Sequence, residues 1–427
     1  MKIAIAGYGA EGKSNYNYWN TPENEVVIVD EHQPSAVPID ANVIVGEDAF
    51  SHLDGFDMVI RTPGLAPHKI KTDGKIWSAT NEFLAQCPAP IIGVTGSKGK
   101  GTTSSLIASI LRASGKKVHL VGNIGVPALD VLADISSQDI VVYELSSFQL
   151  WDLEKSPHVA VVLHIEADHL DVHTDFAEYI EAKAQIAANQ LTTDRVIYNI
   201  ENQWAKQIAG RSVGQRLPYQ SVRGAHVQGD FFMYGDQELC ATSELLLPGR
   251  HNQDNACAAI TAVWSWVQDG EVIAEGLRSF DGLPHRLKFV RDVNGVKYYD
   301  DSIATTPGSA IAAINSFPEP KILILGGSSK GADFNELAHE ITTANVKAVI
   351  VMGDEAEHIR RTLESAGYTN VYNPESQTMT SVVSRSHALA SAGDVVVLSP
   401  SCASFGLFKN YADRGDQFIQ AVAGLKV

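Results

Sequence analysis

The chain has 427 residues, enough for three domains at roughly 100–200 residues each. Its hydrophobic fraction of 44% and charged fraction of 19% are those of a globular protein and exclude disordered, collagen-like and coiled-coil classes. A net charge of −17 argues against a general nucleic-acid or anionic-membrane binder, so any anionic ligand must be held by local amide cradles and a few placed cations.

The N-terminus runs straight into an apolar strand, 2–6, and a glycine turn, with no secretory signal pattern. The turn, Gly7-x-Gly9-x-x-Gly12, is followed by apolar runs at 25–30, 42–46 and 57–61, and Asp30 closes the first of these. Strands alternating with polar or helical stretches predict a parallel sheet with helices on its faces. The glycine spacing with Asp30 fits a dinucleotide turn. It fits NAD, FAD, a UDP-sugar, or close helix–strand packing equally well. The stretch 86–90, with two prolines, reads as a linker.

A buried-strand run at 91–94 leads into Gly93-Val94-Thr95-Gly96-Ser97-Lys98-Gly99-Lys100-Gly101-Thr102-Thr103. A helix follows over 100–114, with Leu106, Ile107, Ile110 and Leu111 on one face and Gly115 as its stop. Strand, glycine turn and helix N-terminus together form a phosphate cradle, and Lys100 can reach the outer phosphates. Gly101 stands where a P-loop places its magnesium-binding hydroxyl, leaving that work to Thr102 or Thr103.

Further strands are predicted at 118–121, 140–144, 159–164 and 196–199, and helices at 175–190 and 252–267. Short strands span 231–241 around a Gly235-Asp236 turn. Glu144 ends its strand near the phosphate loop, a position suited to magnesium. His164-Ile165-Glu166-Ala167-Asp168-His169-Leu170-Asp171 also follows an apolar strand and offers further donors. By itself, Lys183 reads as a surface lysine.

The last segment opens with a hairpin, 287–292 and 296–300, around Asn294-Gly295. Runs at 321–325, 348–352 and 394–398 alternate with helical stretches, which again suggests a doubly wound sheet. Cys87, Cys240, Cys257 and Cys402 are scattered, as reduced thiols would be, and no apolar window is long enough to span a membrane. The expectation is α/β throughout, with three consecutive domains: Rossmann-like at 1–87, P-loop ATPase-like at 88–282 and Rossmann-like at 283–427.

At this point the sequence resembles the Mur ligases. The resemblance rests on the phosphate loop, Gly122-Asn123-Ile124-Gly125, Glu144-Leu145-Ser146-Ser147-Phe148-Gln149, Asp168-His169-Leu170-Asp171 and Lys183. It continues through His251-Asn252-x-x-Asn255, Gly282-Leu283-Pro284-His285-Arg286, Asp300-Asp301-Ser302, Gly326-Gly327-x-x-Lys330-Gly331 and Ser399-Pro400-Ser401-Cys402-Ala403-Ser404.

It implies a cytoplasmic, monomeric ATP- and Mg2+-dependent ligase. That enzyme would add glutamate, D-glutamate first, to UDP-N-acetylmuramoyl-L-alanine through an acyl phosphate in peptidoglycan precursor synthesis. Lys100, Lys183 and His169 would be catalytic. Thr102, Glu144, His169 and a carbamylated Lys183 would hold two magnesium ions. Gly96, Lys98, Gly99, Lys100, Gly101, Thr102, Thr103, Asn252, Asn255, Arg286 and Asp301 would bind the nucleotide. Gly9, Ala10, Glu11, Asp30, Thr62, Asn123, Ser146 and Gln149 would face the UDP-sugar. Thr305, Lys330, Ser404 and Tyr411 would take the incoming amino acid.

Three departures from the family pattern concern substrate detail. Gly101 gives a Lys-Gly-Thr run like that of folylpolyglutamate synthases. Ile303 stands where many of these ligases carry lysine, which leaves L-glutamate open. His32 replaces an expected arginine. The rival readings are a folylpolyglutamate synthase, a nicotinamide oxidoreductase and a non-catalytic ATP-binding module.

Overall fold

The computed structural model describes all residues except 35, 36, 125, 171, 330 and 427. Residues 1–245 and 253–280 form one compact unit, and residues 246–252 and 281–427 form a second. Largely parallel sheets alternating with helices make the fold α/β, and among the described residues no helix is long and apolar enough to cross a membrane.

The first sheet has five parallel strands in the spatial order Asn42–Val45, Glu25–Asp30, Lys2–Ala6, Met58–Arg61 and Lys75–Ser78. Alternation along the central strands builds two cores. Ile3, Ile5, Val26, Ile28 and Ile60 pack on one face, and Ala4, Ala6, Val27, Val29 and Val59 on the other. Burial on both faces is why these strands read as unbroken apolar runs. The fifth strand was not foreseen, because its Lys-Ile-Trp-Ser sequence is short and only Ser78 is buried. Helix Ala79–Gln86 follows, capped by the Ser78 side chain, which accepts from the Asn81 amide. Its Phe83 and Leu84 pack into the core of the next sheet.

That sheet has six parallel strands, ordered Gln215–Tyr219, Arg195–Asn199, Val159–Val162, Ile91–Thr95, Ile140–Glu144 and Val118–Gly122. Ile91–Thr95 therefore lies between the strands whose carboxyl ends lead to Glu144 and to His169. Ligands of open α/β sheets bind at such a reversal of strand order. Helix Lys100–Ala113 buries Leu106, Ile107, Ile110 and Leu111 as the spacing predicts. An antiparallel sheet of Ala225–Gln228, Phe231–Tyr234 and Gln237–Ala241 follows. Its first strand was missed, since Ala-His-Val-Gln offers little apolar signal.

The second unit holds a mixed sheet ordered Lys288–Val293, Val296–Asp300, Val395–Leu398, Lys321–Gly326, Val346–Met352 and Val371–Tyr372. Only its first pair is antiparallel. Asn294 and Gly295 have φ of 54° and 81°, the positive values that a two-residue hairpin turn requires.

Candidate active site

Every residue of strand Ile91–Thr95 is buried, and the chain then turns through residues 96–99 into helix Lys100–Ala113. Gly99 caps the helix at φ +84°, and a Cβ there would lie 2.4 Å from Asn255 Oδ1. A side chain is excluded by both strain and space. Asn255 Oδ1 also accepts from the Thr103 hydroxyl at 3.3 Å, so Asn255 is fixed against the loop. The helix start leaves backbone N–H groups directed at the turn, the arrangement that favours a bound phosphate.

Two lysines converge on this turn. Lys100 Nζ donates to the carbonyls of Gly96 at 3.0 Å and Ser97 at 3.1 Å. Lys183, on helix Phe176–Ala188, donates to the same Gly96 carbonyl at 3.0 Å and to Thr95 Oγ1 at 3.3 Å. Lys183 is only 1% exposed, so the surface position suggested by its bare sequence context is corrected. Burial pushes its amine well below the usual lysine range, and the Lys100 charge pushes it the same way, against the pull of Asp168 and Glu144. The helix that carries it begins at Asp175, whose carboxylate caps the Glu178 amide at 2.8 Å.

A cleft of about 210 Å³ lies over the lysines, lined by Pro63, Lys100, Asn123, Ser146, Ser147, Phe148, His169, Tyr179 and Lys183. Lys100, Asn123, Ser146, His169 and Lys183 were expected at the site. Pro63, Ser147, Phe148 and Tyr179 were not assigned roles. Tyr179 stands one helical turn before Lys183, a spacing that could have revealed it. Its hydroxyl lies 2.8 Å from Ser97 Oγ, and its ring sits 4.7 Å from the Lys183 amine. Ser146 caps helix Ser147–Leu150 in a capping box with Gln149.

Glu144 and Thr102 are both buried and do not line the cleft. Among the described residues, no group of three or more His, Cys, Asp or Glu side chains converges as a ready metal cage. Mg2+ does not need such a cage, since it takes one or two carboxylates and completes its shell with waters and substrate phosphates. His169 is held at φ +55°, with its ring 5.0 Å from Phe148.

In the first sheet, a Cβ on Gly12 would lie 2.1 Å from the Gly7 carbonyl oxygen, so this glycine serves close packing. A Cβ on Gly9 would meet no protein atom within 4 Å, and Ala10 beside it is exposed. Asp30 accepts from the amides of Tyr8 at 2.9 Å and His32 at 3.2 Å, so it braces the turn itself. Thr62 donates to the Ala6 carbonyl at 2.9 Å. Glu11 accepts from Gln149 Nε2 at 3.4 Å, and burial pushes its carboxyl up to about 7 against the opposing Arg61 charge.

In the second unit, three adjacent strands deliver residues 301–305, 327–329 and 399–404 to one end of the sheet. Asp301 is buried and accepts from Ser399 Oγ at 2.8 Å and the Leu287 amide at 3.1 Å. Burial raises its carboxyl to about 7, with Arg286 acting in the opposite direction. Ser404 is buried, Thr305 half-buried and Tyr411 exposed. Asn252 donates to the Pro248 carbonyl at 2.7 Å. Lys330 lies outside the described residues, as do Gly125 and Asp171 of the quoted motifs. Arg414 was not singled out by sequence. Fully buried, it donates to the carbonyls of Ser302, Cys402 and Ala403 and to Ser302 Oγ, tying two of these loops together.

Residues 94–263 match the family model of the Mur ligase middle domain, and residues 285–402 match that of the Mur ligase, glutamate ligase domain. The phosphate loop and its buried lysine lie within the first match, and fold and site together define a Mur ligase. The chain is 37% identical over 407 residues to the UDP-N-acetylmuramoylalanine–D-glutamate ligase of Acetivibrio thermocellus, covering 91% of this chain and 87% of that one. It is 34% identical over 442 residues to the corresponding ligase of Clostridium kluyveri, covering 99% and 96%. The crystal structure of the UDP-N-acetylmuramate–alanine ligase of Thermotoga maritima shares the fold, with a TM-score of 0.62 over 100% of both chains at 18% identity. The chain belongs to the Mur ligase family, among its UDP-N-acetylmuramoylalanine–D-glutamate ligases.

Proposed function

We propose that the chain joins D-glutamate to the alanyl carboxylate of UDP-N-acetylmuramoyl-L-alanine at the expense of ATP. The observation that carries the reading is the pair of lysines on the phosphate loop, opening on a cleft shared with Asn123, Ser146 and His169. A carboxylate is a poor acyl donor. Transfer of the γ-phosphoryl group to it gives an acyl phosphate, which the glutamate amine attacks to form the amide and release phosphate.

Lys100 would swing from its loop carbonyls to the transferring phosphoryl group, where its charge offsets the charge that develops. Glycine-flanked amides and the helix start cradle the remaining phosphates, with Asn255 bracing the turn. Asn123 and Ser146 orient the UDP-sugar, with Gly9, Ala10, Glu11, Asp30, Thr62 and Gln149 on its nucleotide side. Arg286 and Asp301 serve the nucleotide, and Thr305, Lys330, Ser404 and Tyr411 serve the glutamate. Glu144, His169 and Thr102 would hold magnesium, which supplies charge neutralisation to the phosphates when bound.

Lys183 is the residue whose environment best supports a modification. Its lowered amine basicity favours the neutral form that adds carbon dioxide, giving a carbamate and a released proton. The carbamate would turn a cation that repels metal into a third carboxylate-like ligand. Cytoplasmic location and a monomeric state complete the reading.

The test is product formation. Incubation with ATP, magnesium, UDP-N-acetylmuramoyl-L-alanine and D-glutamate should give the UDP-linked dipeptide by mass spectrometry. Elongation of a folate instead, or reduction of a nicotinamide, would establish one of the rival chemistries.

A further inference from the structure

Arg61 ends strand Met58–Arg61, and its side chain is fully buried. Its guanidinium binds Asp152 through two bonds, Nε to Oδ2 at 3.0 Å and Nη2 to Oδ1 at 2.6 Å. Nη2 also donates to the Phe148 carbonyl at 2.9 Å. Nη1 turns the other way and donates to the carbonyl of Leu65 at 3.1 Å, with those of Thr62 at 3.3 Å and Pro63 at 3.5 Å. Beside this fork, buried Asn81 donates to the Asp152 carbonyl at 2.9 Å and accepts from the Glu154 amide at 2.8 Å. Both side chains thus reach from the first sheet and its following helix to residues 148–154.

The two strips that the guanidinium joins both contribute to the lining of the cleft. Pro63 belongs to one, and Ser146, Ser147 and Phe148 belong to the other. Only a planar fork can meet a carboxylate side-on and still direct donors to carbonyls on both sides, which the single nitrogen of lysine cannot do. Stability alone does not account for the arrangement. Arg61 is buried and Asp152 only 22% exposed, and a pair so far withdrawn from water is often replaced by well-packed apolar residues at little or no loss. Its cost is sensible where geometry matters.

We infer that Arg61 is a positioning residue for the UDP-sugar. It sets the separation of the turn at 62–65 from helix Ser147–Leu150, and so the placement of the acceptor carboxylate against the transferring phosphoryl group. This inference rests on the reading above that the cleft receives that substrate.

The experiment uses the full chain with Arg61→Lys, Asp152→Asn, the double variant Arg61→Met with Asp152→Leu, and Ser146→Ala. For each, KM is measured for UDP-N-acetylmuramoyl-L-alanine and for ATP, together with Tm. Arg61→Lys should raise the UDP-sugar KM about tenfold, as a small misplacement of a positioned group does, and leave the ATP KM unchanged. The double variant should recover Tm through apolar packing without recovering the UDP-sugar KM. Recovery of both together, or a parallel rise in both KM values in the single variants, would reduce Arg61 to a structural strut and overturn the inference. Ser146→Ala tests the underlying site. If it leaves the UDP-sugar KM unchanged, the site reading fails and the inference with it. A raised KM there beside a normal Arg61→Lys overturns the positioning role alone.

Discussion

The amines of Lys100 and Lys183 donate to one acceptor, the Gly96 carbonyl, each at 3.0 Å. Two ammonium ions crowded on one carbonyl repel each other, and the structure resolves the conflict through burial. Lys183 is enclosed, and desolvation drives it toward the neutral amine. Under the proposed function the two lysines would have different tasks: Lys100 would meet the phosphate, and Lys183 would offer its amine to carbon dioxide.

Lys100→Ala should fold and lose turnover by about a thousandfold or more, the scale of a lost donor at a developing anion. Circular dichroism and a steady-state assay decide it. A folded variant with near-normal turnover would contradict the phosphate-loop assignment.

Lys183→Ala should lose most activity, and acetate or a similar short acid should restore part of it by occupying the carbamate's place. Lys183→Arg should not be rescued, since its cation still fills the site. Full activity of Lys183→Ala without added acid would contradict the carbamate role. Linkage adds a stability readout in apo protein kept free of carbon dioxide. Because the folded pKa is depressed, the unfolded chain binds more protons between that lowered value and about 10.4, so this lysine's contribution to stability rises with pH across that window. The stability of wild type relative to Lys183→Met should therefore climb as pH rises above neutrality. A flat difference would contradict the neutral amine.

Gly99→Ala places a Cβ at φ +84° and 2.4 Å from Asn255 Oδ1. The strained backbone should cost about 1 kcal/mol or more, and the displaced loop should raise the ATP KM. Denaturant unfolding and nucleotide titration measure the two effects. An unchanged ATP KM would show that the turn does not hold the nucleotide.

Asp301 makes the opposite linkage prediction. Its folded pKa is raised to about 7 by burial, so the folded state binds the extra proton between the ordinary carboxylate range and about 7. Its contribution is most favourable at low pH, is lost as pH rises through that window, and is constant above it. Asp301→Asn should therefore gain stability relative to wild type from pH 4 to pH 7, with the difference levelling off above. A pH-independent difference would mean that the carboxyl titrates normally.

Much of this was legible in the sequence, for local physical reasons. Lys2–Ala6 and Ile91–Thr95 are apolar runs bounded by glycine, Asn294-Gly295 can be little else than a hairpin turn, and the phosphate loop carries its own chemistry in its glycines. Lys75–Ser78 and Ala225–Gln228 were missed because these two edge strands lack the apolar run that the edge strand Asn42–Val45 carries. Lys183 was legible only through family resemblance, since nothing in its own helix reveals that its face packs on the phosphate loop. Arg61 was not legible at all: its partner Asp152 lies 91 residues away, and pairing at that distance is a property of the fold.

The central claim is that one cleft couples ATP cleavage to amide formation, and phosphate release measured with each substrate omitted in turn tests it most directly. Release should require ATP, magnesium, UDP-N-acetylmuramoyl-L-alanine and D-glutamate together, stay near background when any one is withheld, and fall away when L-glutamate replaces the D-isomer. Sustained release without the UDP-sugar, or none with all four present, would contradict the account.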